Sequence, residues 1–440
     1  RAKPLDVALE ELVDLKEYSV EPLRCAGCEN NCRILKNVFA NGKTYYSGNK
    51  CEKVYTNKGE KGRNAFNLSL NKAELAFKKR MAVKAPVLTL GIPRVLNMYE
   101  NFQFWYTLFT QCGIEVKNSA RSTFKMYERG LNSVMADNIC FPAKLVHGHI
   151  LNLVDQKVDR IFYPYVIYEE LEPQSNNSFN CPVVAGYSDV LKSAINTKEK
   201  FNIPLDSPVV NFKDEALLQK SCKLYVSQLL KEKYDETTFQ TAFAKALEAR
   251  DEFGKTLQEK AQRVLENAKK ENRFVILLAG RPYHNDLLVQ HKVSEIITSF
   301  GVDVITEDIV RGSEKKIEDS HIIPQWSYMN RIMKAAQWVA TTDEKVHFVQ
   351  LTSFGCGPDA FIVDEVSDLL KQGGKNLTLL KVDDVNNAGS LRLRIRSLIE
   401  SLKFKNDEEE EILELKHIIM EIIRKMCFIC WNLKLNYLLY

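Results

Sequence analysis

The chain has 440 residues, 45% of them hydrophobic and 27% charged, the proportions of a soluble globular protein with length for two or three domains. Its 61 basic and 57 acidic residues leave a net charge of only +4, and no basic run is interleaved with aromatic residues, which argues against nucleic acid as a partner. No uninterrupted apolar stretch approaches the roughly 20 residues of a membrane-spanning helix, and eleven cysteines without a secretory leader fit a reducing cytoplasm.

Residues 1–24 read as a linker helix entered partway, because Leu5, Leu9, Leu12 and Leu15 recur among acids and lysines. Residues 25–60 form a cysteine module. Cys25, Cys28 and Cys32 sit close together, and Cys51 returns after a hairpin whose turn is Asn41-Gly42. That spacing lets one backbone surround a tetrahedral metal or an iron–sulfur cube. A disulfide framework is the plainer reading, but it suits short secreted chains. The four thiols are therefore assigned to one closed metal site, open to either zinc or an iron–sulfur cluster, with a cluster preferred. A basic linker, Lys72 to Lys84, follows.

From Val87 the texture changes to alternating strand and helix. Strands are predicted at 87–92, 115–116 and 160–164, with helices at 98–112 and 142–157. The scheme repeats after residue 273, with strands at 274–280, 302–305, 346–351 and 377–381 and helices at 287–300, 358–372 and 389–402. The expected architecture is α/β: two Rossmann-like parallel-sheet domains, 86–212 and 273–403, joined by a charged helical bridge over 213–272 and preceded by the small four-cysteine module. Residues 404–440 form a C-terminal helical tail containing Cys427 and Cys430, read as apolar thiols rather than ligands.

A second cysteine constellation lies within the alternating region. Cys140 precedes Phe141-Pro142, Cys181 precedes Pro182, and Cys356 lies in Gly355-Cys356-Gly357-Pro358. Proline opens helices, and helix N-termini stabilise thiolate and the negative charge of a cluster. Each cysteine alone could be a small buried hydrophobe, as Cys112 and Cys222 are expected to be. Together the three suit a cluster with one iron left open. His147 and His149, two apart on a helix, do not share a face and read as structural. Arg281 and His284 follow a strand end, and Lys144 lies one turn beyond Cys140. These three are the candidate catalytic or anion-neutralising groups, although His284 could equally serve a turn hydrogen bond.

Four runs carry a resemblance: Gly91-Ile92-Pro93-Arg94-Val95-Leu96-Asn97-Met98-Tyr99-Glu100, Cys140-Phe141-Pro142-Ala143-Lys144 with His147-Gly148-His149, Gly280-Arg281-Pro282-Tyr283-His284, and Gly355-Cys356-Gly357-Pro358-Asp359-Ala360-Phe361. Over about residues 25–403 the chain resembles the 2-hydroxyacyl-CoA dehydratase-related proteins that occur behind or beside an ATP-dependent activase (domain of unknown function 2229, DUF2229). The resemblance implies a 4Fe–4S or double-cubane cluster held by three cysteines per subunit, here Cys140, Cys181 and Cys356. It also implies low-potential electrons from an activase and reduction of a small molecule or acyl-thioester in a homodimer. No glycine-rich phosphate loop is present, so the activase is expected as a separate or upstream partner. Relatives carry cysteine near Tyr165, where this chain has tyrosine. The competing function is a zinc-stabilised scaffold that binds or regulates an activase.

Overall fold

The computed structural model describes residues 18–26, 31–39, 42–48, 54–55, 65–317, 321–342, 345–384 and 389–405. The chain opens with β1 (Tyr18–Arg24), β2 (Arg33–Phe39) and β3 (Thr44–Ser47), a small antiparallel sheet in that order. This corrects the linker helix expected over 1–24 at its end: Tyr18–Arg24 pairs residue by residue with Phe39–Arg33 and is a strand. Residues 1–17 lie outside the described residues. The predicted hairpin is present, with Gly42 N–H donating to the Phe39 carbonyl at 2.9 Å.

Next comes α1 (Leu68–Ala76), which replaces the expected linker at its start. Asn67 caps this helix through Leu70 N–H, and the segment just before it joins the edge of the second sheet beside Val304. Lys72 is buried, its ammonium 2.9 Å from Glu307 and 2.5 Å from Asp308. Sequence alone reads Lys72 as the start of a basic linker because nothing nearby in the chain supplies those acids.

The first half then runs β4 (Thr89–Ile92), α2 (Met98–Gln111), β5 (Glu115–Asn118), α3 (Phe124–Leu131), α4 (Phe141–Asp155), β6 (Arg160–Phe162), β7 (Tyr165–Tyr168), α5 (Pro182–Ile195), α6 (Thr197–Phe201), β8 (Leu205–Asp206) and β9 (Val209–Asn211). Its four-stranded sheet has the order β5-β4-β6-β8, all parallel. Pro164 and Pro208, which cannot donate to a ladder, split two longer strands, so β7 and β9 pair as a separate parallel ribbon.

Two helices, α7 (Glu215–Leu230) and α8 (Glu236–Lys270), form the bridge, each capped by an aspartate that accepts an N–H of its first turn. The second half contains β10 (Val275–Ala279), α9 (Val293–Ser299), β11 (Asp303–Thr306), α10 (Ser327–Thr341), β12 (Val346–Ser353), α11 (Gly357–Gln372), β13 (Thr378–Val382) and α12 (389–405). Its parallel sheet, β11-β10-β12-β13, repeats the strand order of the first. The helix predicted over 287–300 is shorter than expected. His291 and Lys292 adopt φ of +49° and +60°, which interrupts helical geometry before Val293.

One apolar core runs from Leu68 and Leu90 through Trp105 and Phe253 to Leu370, and so joins both halves. The second sheet alternates as a doubly covered sheet must: Val275, Leu277 and Ala279 face that core, whereas Ile276 and Leu278 face a second cluster containing Ile297 and Ile395. A buried charge network also crosses between the halves. Arg331 pairs with Glu172 at 2.8 Å and Glu100 at 3.1 Å, and Arg311 with Glu100 at 2.7 Å and Asp308 at 2.8 Å. Despite burial, Arg311, Arg331 and Lys72 hold Glu100 down to about 2.

Candidate functional site

Cys140, Cys181 and Cys356 are the N-cap residues of α4, α5 and α11, each followed by a proline in the first turn. Cys181 Sγ accepts the N–H of Val184 at 3.4 Å, and Cys356 Sγ that of Asp359 at 3.4 Å. All three are partly exposed, in contrast to the buried Cys112 and Cys222, which pack in the core as expected. The loop before Cys356 turns at Gly355, whose φ of +71° favours glycine. A Cβ there would stand 3.3 Å from the carbonyl oxygen of Asn138, two residues before Cys140.

Arg281 lies at the centre of this region. It follows β10, the neighbour of β12 in the sheet, so its loop and the Cys356 loop leave adjacent strand ends, where open α/β sheets bind ligands. The buried guanidinium donates to Asp359 at 2.8 Å, to Tyr283 OH at 2.7 Å and to Cys356 Sγ at 2.7 Å. Burial opposes its charge, but Asp359, Tyr283, Cys356 and Cys181 hold it protonated well above the usual arginine range. Asp359 is correspondingly held below the usual carboxylate range, Arg281 overcoming its burial.

The thiols respond to the same surroundings. Burial pushes Cys356 up to about 12, against the pull of Arg281. Burial also raises Cys140, with the charge of Cys181 acting in the same direction, while Ala143 N–H and Arg281 oppose it. The guanidinium thus touches Cys356 directly and pulls against the burial of Cys140. Among the described residues, no three His, Cys, Asp or Glu side chains form a group that could hold a metal ion.

His284 closes the Arg281 turn. Its Nδ1 accepts Arg281 N–H at 3.1 Å, and its Nε2 lies 3.4 Å from Ser353 Oγ in the Cys356 loop. Gly280 makes room for the ring, since a Cβ there would meet His284 Nδ1 at 2.8 Å. The ring therefore makes the turn hydrogen bond that was one of its two expected roles, and burial holds it neutral, down to about 4. The ammonium of Lys144 pairs with Asp384 at 2.9 Å. His147 bonds Ser133 and Tyr187, and His149 bonds Ser119 and Ser122, so both are structural. Sequence reasoning missed Asp359 and Tyr283. The position of Asp359 in the first turn of a helix opened by Cys356 was a usable signal.

In the amino-terminal module, Cys25 N–H donates to the Cys32 carbonyl at 2.9 Å, which brings these two residues together where the connection between β1 and β2 begins and ends. Cys28 and Cys51, the other members of the expected site, lie outside the described residues, as do Cys427 and Cys430.

Residues 89–310, half of the chain, match the family described as CoA enzyme activase uncharacterised domain, DUF2229. The chain belongs to this family. The matched span holds Cys140, Cys181, Arg281, His284 and Lys144, with Cys356 beyond it. The family ties the chain to CoA enzyme activases and suggests an activase partner. No curated protein matches the chain. Among solved structures, the C-terminal domain of glucosamine-fructose-6-phosphate aminotransferase from Francisella tularensis is 8% identical, with 75% of this chain and 91% of that one covered at a TM-score of 0.20. The N-terminal part of protein BF1531 from Bacteroides fragilis, containing a phosphatase domain complexed with Mg, is 12% identical, with 75% and 97% covered at a TM-score of 0.14. No helix among the described residues is long and apolar enough to cross a membrane.

Proposed function

We propose that this protein is an iron–sulfur component that receives low-potential electrons from an ATP-dependent activase and reduces a small molecule or acyl-thioester, with Cys140, Cys181 and Cys356 as cluster ligands. The observation that carries this reading is that three cysteines each cap a proline-opened helix and one of them, Cys356, accepts from the buried Arg281 guanidinium at 2.7 Å. The donor set suits such a group. Soft thiolates favour cluster iron, and each thiol of a cube binds a different iron, so the three need not close on one ion. When bound, the cluster supplies one-electron chemistry and, with three protein ligands, an iron open to a small molecule.

The residues of the chain have distinct tasks in this reading. Three helix N-termini place positive ends toward the thiolates. Arg281, fixed by Asp359 and Tyr283, hydrogen-bonds Cys356 and balances negative charge without moving. His284 remains neutral and ties the Arg281 turn to Ser353, so the two loops keep their spacing. Lys144, paired with Asp384, anchors the helix that Cys140 begins. An activase, fused or separate, supplies the electrons, and the working unit is a homodimer in the cytoplasm.

A second reading draws on the amino-terminal hairpin, where Cys25 and Cys32 meet: a structural zinc site completed by Cys28 and Cys51, in a non-enzymatic scaffold that binds or regulates an activase. Iron and sulfide analysis of anaerobically purified protein separates the two. The reductase reading expects brown protein that loses iron and ATP-coupled reduction in Cys140→Ser and Cys356→Ser while remaining folded, because a neutral hydroxyl is a poor substitute for thiolate. Zinc alone overturns it, and full iron with undiminished turnover in Cys356→Ser removes that residue from the site.

A further inference from the structure

On the other side of the Arg281 turn lies a cleft that the cysteine chemistry does not use. It measures about 180 Å³ and forms where the halves meet. Its walls come from α1 (Leu70, Ala73, Glu74), from Tyr99 on α2, from the loops after β4 (Arg94) and β5 (Arg121, Ser122), and from residues 285–288 and Lys292. No cysteine lines it. Arg94 and Arg121 thus lie beyond the carboxyl ends of adjacent parallel strands, a ligand-binding position in doubly wound sheets.

Arg94 is the unusual group. Its guanidinium carbon lies 4.3 Å from the centre of the Phe77 ring, which fixes the planar fork, and its Nε is buried without a hydrogen-bond partner. Among the described residues no carboxylate forms an ion pair with it. The acid opposite, Asp286, is already engaged: Oδ2 accepts from Tyr99 OH at 2.5 Å and from Ser122 Oγ, and Oδ1 accepts the N–H groups of Leu288 and Val289. Glu74 pairs with Arg121 at 3.6 Å, an exposed pair of little net worth that a stronger anion would displace.

We infer that this cleft binds the phosphate group of a phosphorylated small molecule, held by Arg94, Arg121 and Lys292. A tetrahedral dianion presents oxygens to cations on several walls at once, and the guanidinium fork of Arg94 matches two of them. A planar carboxylate has two oxygens and would satisfy one fork only. The volume is several times the ~30 Å³ that a water molecule occupies in the liquid, so a short organic stem fits beside the phosphate. The site draws on both halves, so its ligand bridges them and contacts the chain that continues the Arg281 turn. This inference does not rest on the cysteines binding iron.

Calorimetric titration of the full chain with inorganic phosphate and pyrophosphate, with succinate as the dicarboxylate control, tests it. The expected result is saturable binding of phosphate or pyrophosphate, weakened about tenfold or more in Arg94→Gln, since a lost charged hydrogen bond is worth about one decade or more in affinity. Arg121→Gln, at the exposed rim where folding is not at stake, should weaken binding several-fold and lower its salt dependence. Wild-type protein that shows no saturable binding, or binding unchanged in Arg121→Gln and Arg94→Gln, overturns the site. Succinate binding as tightly as pyrophosphate overturns the phosphate assignment. Iron content does not enter the readout, so failure here is distinct from failure of the cluster reading.

Discussion

The two parallel sheets share one strand order, and each places an arginine just past its central first strand: Arg94 after β4 and Arg281 after β10. Their surroundings then diverge. In the second sheet β12 ends beside Arg281 and a helix begins, so its first turn delivers Asp359 to the guanidinium at 2.8 Å. In the first sheet the corresponding strand, β6, continues through Pro164 into β7. No helix starts there, no acid arrives, and Asp286 on the far wall is occupied by other donors. The same topological position thus yields a wired structural cation in one half and a cation open to ligand in the other. What decides is whether the neighbouring strand stops.

The largest test of that difference is removal of the wired arginine. Arg281→Leu leaves Asp359 buried and uncompensated, and a broken buried pair costs about 3–5 kcal/mol. Denaturant unfolding should show that loss, and Arg281→Leu combined with Asp359→Leu should recover much of it, because the double variant leaves no orphaned charge. A cost below about 1 kcal/mol for the single variant would mean that Asp359 is solvated and the two arginines are alike.

Each half also keeps a buried neutral histidine near its arginine. Burial holds His284 and His149 down to about 4 from the usual 6.5, although Asp359 and Asp286 respectively pull the other way. Between those values the unfolded chain binds protons that the folded chain does not, so stability is full above about pH 6.5 and is lost as pH falls toward 4. Each ring should contribute on the order of 3 kcal/mol to that slope. Stability measured across this window in His149→Gln and His284→Gln should show a shallower pH dependence in each. An unchanged slope in either would show that its ring titrates freely in the folded chain.

The four strands of the second sheet and three of the first were legible in the sequence as short runs with apolar centres, as in Val275–Ala279 before Gly280, whereas the two-residue β8 and the β7–β9 ribbon were too short to show. The helix-opening positions of Cys140, Cys181 and Cys356 were legible too, since proline marks each helix start. What escaped depends on contacts distant in sequence. Lys72 looks like a linker residue until Glu307 and Asp308 are brought to it. The residues of α10 carry Arg331 and Lys334 amid apolar positions, which masks a buried helix whose charges are met by Glu172 and Glu100 and by the carbonyls of Pro173 and Ser313. The 287–300 pattern was helical by periodicity, yet His291 and Lys292 take left-handed φ values of +49° and +60°, which break the run before Val293. The arginines themselves were visible, but their different roles were not, because the acid that distinguishes them arrives from another element.

The smallest expected effect is also the sharpest contrast. Arg94→Leu keeps the backbone N–H of residue 94, which donates to Ser119 Oγ at 2.8 Å, and keeps an apolar side chain against Phe77. It removes a buried Nε that has no partner, and no acid is left unpaired. An unmade buried hydrogen bond costs about 1–3 kcal/mol, so its removal should offset the lost cation–ring contact and leave stability within about 1 kcal/mol of wild type. Denaturant midpoints for Arg94→Leu and Arg281→Leu under one buffer make the comparison directly. Near-neutral stability at Arg94 beside a large loss at Arg281 identifies the first as a cation retained for a ligand rather than for the fold. A loss at Arg94 as large as that at Arg281 would mean that an acid meets it in solution, and the cleft would then have no free charge to offer a phosphate.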